Sequence, residues 1–295
     1  MSVLEADAPT APYKGGTYEL LEDLYREYNR REYVSPDPLE FLYHYDDPSD
    51  REVVGLIASS LAYGRVASIL SSVRRVLDVL GHAPAETLLE YARRESSHDE
   101  MARRLGGFVH RFTACEEMSK FLHGIGRALI AHGSLENLFM EGLSEAARPA
   151  PGAFSPRCGV LGAMEHFTRS LLSCAALDSS HLLPRPSKGS ACKRLALYVR
   201  WMARQDDVDP GGWRSVPACD IIVPLDTHMF RIATGLGFVT RKSADGAAAL
   251  DATDGFRRLR PDDPARYDFA LTRFGIRTGM SVEELLAKFR AITRG

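Results

Sequence analysis

Two side chains in the second half of the chain, Lys193 and Asp226, have settings suited to nucleophilic and acid–base chemistry. Asp226 follows an apolar run that ends near Pro224, and it precedes THMFRIATGL, a stretch with helical spacing for which Gly237 is the expected stop. An aspartate in this place caps a helix, and a carboxylate that accepts backbone N–H groups stays ionised at neutral pH. Such a carboxylate also suits the stabilisation of a developing cation or the removal of a proton. The sequence leaves both roles open, and they are compatible.

Lys193 lies in the segment PSKGSACKRLAL, where a turn precedes a helical pattern. Ser190 predicts an N-cap for a helix beginning at Ala191, which places Lys193 at the third position of the first turn. The partial positive charge of a helix N-terminus and the adjacent Arg194 both favour the neutral amine. A neutral lysine amine is a nucleophile that forms Schiff bases. The alternative is a solvated lysine on an exposed turn, whose free N–H groups suit a phosphate.

Helical periodicity covers almost every part of the chain that surrounds these two residues. Apolar residues recur at helical spacing in 17–33 and again in 158–177, and only 218–224 has the composition of an extended segment. The pattern predicts an all-α fold. Signals for helix starts, each an N-cap residue and in most cases a later Glu or Pro, occur at Ser49–Glu52, Thr113–Glu116, Ser134, Asp263–Pro264 and Ser281–Glu284.

Stretches rich in Pro, Gly and Ser suggest where the chain divides. They occur at 147–157 and 178–190 and are candidate joints between parts of the chain. The polar connection 206–220 is long, and such loops often carry function.

Composition narrows the class of protein. No window approaches the roughly 20 apolar residues of a membrane helix, and the N-terminus lacks the features of a signal peptide, so we expect a cytoplasmic protein without membrane contact. Five cysteines are widely spaced without a CxxC pair, which predicts free thiols and neither a zinc site nor an iron–sulfur cluster. The sequence contains no HxxxH pair and no carboxylate cluster, so it gives no indication of a metal site.

The charge distribution is uneven, although the net charge is only −2. Residues 181–242 contain ten Lys or Arg and five Asp, a local surplus of five positive charges on an acidic remainder. A basic segment of this kind forms either a phosphate-binding face or an ordinary solvated surface.

The stretch PLDTHMFRI is similar to the aspartate-bearing segment of helix–hairpin–helix DNA glycosylases, especially the endonuclease III branch. In that superfamily a turn and a lysine-bearing helix precede the aspartate, and SKGSACKRLAL occupies that place here. The segment DREVVGLIASSLAYGRV resembles the early helix and DNA-inserting loop. With RWM, PLDTHM and YDFAL, the chain resembles a bacterial branch related to endonuclease III and to archaeal 8-oxoguanine glycosylases.

The resemblance implies a two-lobed helical fold with an active-site cleft between the lobes. With it we expect an N-terminal helix and extension over 1–37, a helical domain over 38–178, and hairpin and catalytic helices over 179–295 that pack back with the N-terminal segment into the second lobe. It implies a base-excision DNA glycosylase that extrudes a nucleotide from damaged double-stranded DNA, with AP lyase activity in bifunctional members. Carried over by position, Lys193 is the nucleophile, Asp226 the acid–base residue, and Ala62 or Tyr63 the wedge that fills the vacated stack. We expect a monomer without a cofactor. Expected contacts with nucleic acid are Lys188, Gly189, Ser190, Arg194, Tyr63, Arg65 and Arg231, and Trp213 and Trp201 are the expected base-stacking residues.

The chain departs from the superfamily pattern in three ways. The hairpin before the lysine reads LPRPSKGSACK, which is longer than usual and contains only Gly189; the loop 206–220 widens the separation between Lys193 and Asp226; and no Cys follows Cys219 to hold a cluster. Lys188 is a rival nucleophile in the turn. Two other functions stay open: a non-catalytic nucleic-acid-binding module, in which Asp226 only caps a helix, and a scaffold for another kind of partner.

Overall fold

The computed structural model describes residues 16–94, 97–146 and 156–294 of the chain. Helices dominate these ranges, and the only strands in them form one two-stranded antiparallel hairpin, so the all-α prediction is confirmed. The predicted joint at 147–157 falls largely outside the described residues. The helices are α1 Gly16–Tyr28, α2 Pro48–Ser60, α3 Val66–Leu80, α4 Pro84–Arg93, α5 Ser97–Leu105, α6 Cys115–His132, α7 Leu135–Ala146, α8 Pro156–Cys174, α9 Lys193–Ala203, α10 Thr227–Gly235, α11 Gly246–Leu259, α12 Asp268–Ile276 and α13 Val282–Arg294, and the strands are β1 Val109–His110 and β2 Thr113–Ala114.

The helices contact one another in two groups. In the first, α6 lies against α4, α5 and α8, α7 packs along α8, and α2 and α3 both contact α4. In the second, α10 contacts α11, α12 and α13, while α1 returns from the N-terminus to pack on α12 and α13. Helix α9 packs against α2 and so joins the lysine-bearing segment to the first group.

Close approach between helices depends on a glycine in α6. A Cβ at Gly126 would lie 2.2 Å from the carbonyl oxygen of Leu88 in α4, so any larger residue would separate the two helices. Buried apolar side chains such as Leu88 belong to one continuous core that extends across both groups. Burial of this apolar surface is the main favourable contribution to folding.

Helix α2 does not begin with the predicted capping box of Ser49 and Glu52. Asp47 caps it instead, through the first backbone N–H groups of the helix. The buried Glu52 carboxylate accepts the N–H groups of Leu135 and Glu136, at 3.0 and 3.2 Å, and so caps α7 from a distant part of the chain. Burial raises the pKa of Glu52, and these hydrogen bonds only partly oppose that shift.

The remaining start signals divide between those the structure bears out and those it corrects. Ser134 and Ser281 accept backbone N–H groups at the starts of α7 and α13 as predicted. Thr113 lies in β2 and does not cap α6. Asp263 opens a turn, and the helix begins later, at Asp268.

The polar connection 206–220 is anchored to the fold by buried ion pairs. Asp209 is fully buried and receives hydrogen bonds from Arg200 of α9 and from Arg204, the residue that follows this helix. Arg204 also binds Asp263 at 2.9 Å, ahead of α12. These charges are paired because an isolated buried charge would cost several kcal/mol, on the order of the protein's whole stability. The middle of the loop around Asp209 is therefore held in the folded interior.

Candidate active site

A cleft of about 890 Å³ brings together distant parts of the chain. Most of its lining comes from four of them, namely residues 62–69, residues 190–201 at and within α9, residues 224–228 and α12, and residues 36–38, Pro184 and Ala244 complete it. Lys193 and Asp226 both line it. The two residues singled out for their chemistry thus share one concave site, although they lie on different helices.

Lys193 is the first residue of α9 rather than the third position of its first turn. Cys192 precedes it in the left-handed conformation (φ 46°), and the Cys192 N–H donates to Ser190 Oγ at 3.1 Å. The helix therefore starts two residues later than predicted. Lys193 is half-buried, and within the described ranges its ammonium group has no hydrogen-bonding or ionic partner. The amine is free to meet a ligand.

Asp226 is the N-cap of α10, as predicted. Its Oδ1 accepts the Met229 N–H at 2.7 Å from extended backbone (φ −98°, ψ −176°). The other oxygen has no hydrogen-bond partner in the part of the chain that the structure describes. The carboxylate is half-buried, so one oxygen orders the helix while the other stays available at the cleft.

A second carboxyl group, Asp268 at the start of α12, lines the same cleft. It is 3% exposed, and one of its oxygens pairs with the buried Arg200 while the other, Oδ1, has no partner. Burial raises the pKa of Asp268 to about 6; Arg200 opposes the shift, and the charges of Asp226 and Asp209 add to it. Asp226 and Asp268 therefore present two carboxyl groups with different surroundings to one cleft.

Arg200 is surrounded by acidic groups. Burial alone would lower the pKa of its guanidinium, but the charges of Asp209 and Asp268 outweigh that effect and raise it. The arginine therefore stays charged in the interior and fixes Asp268 at the cleft.

Positive side chains outnumber carboxylates along the cleft. Arg273 is paired with Asp37 at 3.2 Å, as Arg200 is with Asp268. Three cations remain without a carboxylate partner among the described residues, and this surplus would favour an anionic ligand. They are Arg65, Lys193 and Arg194.

The predicted basic face is smaller than the sequence suggests. Five of its ten cations are neutralised by carboxylates: Arg185, Arg200, Arg204, Arg231 and Arg241. Arg231, expected to contact nucleic acid, forms an exposed ion pair with Glu283 and does not line the cleft. A charge count over 181–242 misses part of this neutralisation, because Glu165, Asp251, Asp263, Asp268 and Glu283 lie outside that segment.

The turn before α9 reaches the cleft at its two ends, Pro184 and Ser190, and not in its middle. Lys188 and Gly189 are exposed and lie outside the cleft lining, whereas Ser190 and Arg194 line it. Gly189 has a φ of 79°, and its carbonyl accepts the N–H of Gly246 at 3.0 Å. The altered hairpin is therefore held against the start of α11.

The expected wedge residues are not free to insert into DNA. Ala62 is 7% exposed. The Tyr63 hydroxyl donates to the His110 carbonyl at 3.0 Å, and its ring is enclosed by His110, His181 and the Arg194 guanidinium, whose carbon lies 4.7 Å from the ring centre. Tyr63 lines the cleft as a fixed part of its wall.

The two tryptophans differ in position, which corrects one expectation. Trp213 lies in the core, where its ring packs on Phe139 and Tyr198 and its Nε1–H donates to Glu52 at 3.1 Å. It does not line the cleft, so the expected stacking on a base is wrong for this conformation. Trp201 does line the cleft; it is 1% exposed and its Nε1–H has no partner.

Sequence reasoning missed the contribution of α12. Asp268, Thr272 and Arg273 of this helix line the cleft, and all are buried. The sequence does contain a signal for these residues, because Asp268 and Arg273 are charged residues within the otherwise apolar segment DFALTRFGI. Close packing also matters here, since a Cβ at Gly275 would lie 2.2 Å from the His228 ring.

The described ranges hold no group of three or more His, Cys, Asp or Glu arranged to bind a metal. The four cysteines whose side chains are described are free thiols, namely Cys115, Cys174, Cys192 and Cys219. None of the helices in these ranges has the length and apolar character needed to cross a bilayer.

Comparison with known proteins gives one match. The model of a family described as "Protein of unknown function (DUF2400)" matches residues 37–277, which include every segment that lines the cleft except Pro36. No curated protein and no solved structure is detectably similar to the chain.

Proposed function

We propose that this chain, which belongs to the DUF2400 family of proteins of unknown function, is a base-excision DNA glycosylase with AP lyase activity. One observation carries the proposal: an unpartnered lysine at a helix start and a capping aspartate, from separate helices, line one cleft. Its volume of about 890 Å³ is ample for a nucleoside. Unpaired cations at the cleft favour the phosphates on either side of an extruded nucleotide.

The proposed chemistry uses the Lys193 amine as nucleophile. Its lone pair forms a bond to C1′ of the extruded nucleotide while the glycosidic bond breaks, and the leaving base takes that electron pair and a proton. Asp226 stabilises the positive charge that develops on the sugar and takes a proton from the attached nitrogen. Opening of the C1′–O4′ bond, with protonation of O4′, leaves a Schiff base between Nζ and C1′.

Strand cleavage follows from the Schiff base. Removal of a C2′ proton lets the electron pair form a C2′–C3′ double bond as the 3′ phosphate leaves, which is β-elimination. Hydrolysis of the Schiff base then frees the lysine. These steps need no metal or other cofactor.

The arrangement of helices supports a two-lobed glycosylase fold with the altered hairpin Pro184–Ser190. The two groups of helices and the cleft that draws residues from both are what such a fold requires. We propose damaged double-stranded DNA as the partner of a monomeric, cytoplasmic protein without membrane contact.

Borohydride trapping tests the proposal. Duplexes of one sequence, carrying 8-oxoguanine, an oxidised pyrimidine, uracil or an abasic site, are incubated with the protein and then treated with borohydride. We expect a covalent adduct with at least one duplex and its loss in Lys193→Ala. Lys188→Ala is the matched control, because that lysine lies on the neighbouring turn, exposed and outside the cleft.

The outcomes separate the functions that the sequence leaves open. Base loss without trapping identifies a monofunctional glycosylase that uses Asp226 alone. Binding to DNA without base loss, unchanged in Asp226→Asn, identifies a non-catalytic module and refutes the proposal. Absence of any interaction with DNA refutes both.

A further inference from the structure

The hairpin of β1 and β2 carries the most exposed large apolar side chains of the described residues. Phe112 is 69% exposed and Val109 66%, whereas the next two, Ile130 and Ile276, are 48% and 44% exposed. Exposed apolar residues scattered singly are ordinary, but these two, Phe112 at the tip and Val109 in β1, belong to one short hairpin and are called its apolar patch here. Nothing in the described fold covers them.

This hairpin is fixed to the wall of the cleft. Tyr63, which lines the cleft, donates its hydroxyl to the His110 carbonyl at 3.0 Å and lies 2.9 Å from Thr113 Oγ1. The two ring nitrogens of His110 also form hydrogen bonds: Nε2 lies 3.0 Å from the Tyr63 carbonyl oxygen, and Nδ1 lies 2.9 Å from the Ser72 hydroxyl. The tip therefore has a set position beside the cleft, and little conformational entropy is left to lose when it binds.

The Phe112 ring itself is held by its neighbours. Its centre lies 5.2 Å from that of His181, in edge contact, and the His181 ring in turn meets Tyr63 at 4.8 Å. Burial, with the charge of Arg194 nearby, lowers the pKa of His181, so this stack is neutral at neutral pH. A neutral aromatic group beside a site for an extruded nucleotide is suited to stacking on bases.

Cations flank the tip. Arg111 holds its guanidinium carbon 5.4 Å from the Phe112 ring centre, and its side chain packs over Gly64, which lines the cleft. Arg111 and Arg65 are exposed, and neither has a carboxylate partner in the ranges described. An apolar tip with an unpaired cation beside it, and a second one next to Gly64 in the chain, matches a base stack and its phosphate backbone better than it matches a lipid or an apolar protein groove.

We infer that Phe112 is the side chain that enters the base stack of duplex DNA and fills the gap left by the extruded nucleotide, with Val109 beside it and Arg111 on the phosphates. This inference rests on the proposed function. It assigns the insertion to the hairpin, in place of the enclosed Tyr63.

Binding to an uncleavable substrate tests the inference without the chemistry. Two duplexes of one sequence are used, one intact and one with a tetrahydrofuran abasic analogue, each with 2-aminopurine next to the central position. We expect the native chain to bind the abasic duplex more tightly and to raise its fluorescence. Phe112→Ala should lose about 10- to 100-fold in that affinity, together with the fluorescence change. Phe112→Trp should retain both.

Ile130→Ala is the matched control, because Ile130 is an exposed apolar residue of α6 that does not line the cleft. This variant should bind both duplexes as the native chain does. The inference is refuted if Phe112→Ala keeps the affinity and the fluorescence change while Lys193→Ala loses trapping, a result that leaves the proposed function standing. It is also refuted if sedimentation shows a dimer that becomes a monomer in Phe112→Ala, because the patch is then an interface between copies. If the native chain neither binds DNA nor forms a borohydride-trapped adduct, both proposals are refuted.

Discussion

Asp226 both caps α10 and lines the cleft, and two substitutions separate these roles. Asparagine caps helices about as well as aspartate, so Asp226→Asn should keep the hydrogen bond to Met229 while removing the charge. Asp226→Ala removes both. We expect Asp226→Asn to unfold within a degree or so of the native chain and Asp226→Ala to unfold measurably earlier.

The magnitudes show that lost capping cannot imitate lost chemistry. Removal of an N-cap costs about 1 kcal/mol, which lowers the melting temperature by roughly 2 °C in a protein of this size. Even if the native stability were only about 5 kcal/mol, about 0.1% of the molecules would be unfolded afterwards. Loss of a group that stabilises charge or transfers a proton lowers the rate by about 10²- to 10⁴-fold. A hundredfold fall in rate therefore cannot come from unfolding.

The assay pairs thermal unfolding with single-turnover base release at saturating protein. Asp245 provides a matched control, because it caps α11 from the same backbone conformation (φ −97°, ψ −176°) and accepts the Ala248 N–H at 2.9 Å. It does not line the cleft. Asp245→Ala should lower the melting temperature and leave the rate of base release unchanged.

Two results would refute this reasoning about Asp226. One is a native rate of base release in Asp226→Asn, which would make the residue a cap and nothing more. The other is an equal fall in rate in Asp245→Ala, which would show that loss of a cap reaches the chemistry through the structure.

Three further predictions concern the surroundings of the site. Burial raises the pKa of Asp268 from 3.8 to about 6, so between these pH values the folded state binds a proton that the unfolded state does not. In urea titrations, the free energy of unfolding of the native chain, relative to that of Asp268→Asn, should therefore fall by up to about 3 kcal/mol from pH 4 to pH 7. A difference between the two proteins that does not change with pH would contradict this. Trp213→Phe, which removes a donor to buried Glu52, should lose about 1–3 kcal/mol in denaturant unfolding yet keep native base release; a large fall in rate would return this ring to the base site. Gly275→Ala should destabilise the fold by about 1–3 kcal/mol by displacing the His228 ring, and an unchanged melting temperature would show that the ring moves without cost.

The helical class of this protein and several of its helix ends follow from local sequence. Capping by Asp226, Ser134 and Ser281 depends on a side chain and a backbone N–H two or three residues away, and such contacts form wherever the chain turns into a helix. Apolar spacing acts over the same short range. These elements could be predicted because the interactions that decide them are encoded within one helical turn.

Local reasoning failed where a distant residue offered a better partner. Glu52 has the spacing of a capping box, but its carboxylate binds the start of α7, 83 residues further along the chain. Trp213 lies in the core, where it donates a hydrogen bond to Glu52, and not at the cleft, where its place in a polar loop had led us to expect it. Burial decided both cases, because a buried carboxylate must find donors wherever the fold supplies them.

For the site, the sequence alone was enough to single out Lys193 and Asp226 by their chemistry and to predict that Asp226 caps a helix. Only the tertiary structure decided that these residues share a cleft with Asp268, that half of the basic segment is neutralised, and that Phe112 rather than Tyr63 is exposed beside it. The physical reason is range. Helix starts depend on hydrogen bonds between near neighbours, whereas a cleft and its ion pairs depend on packing between helices far apart in the chain.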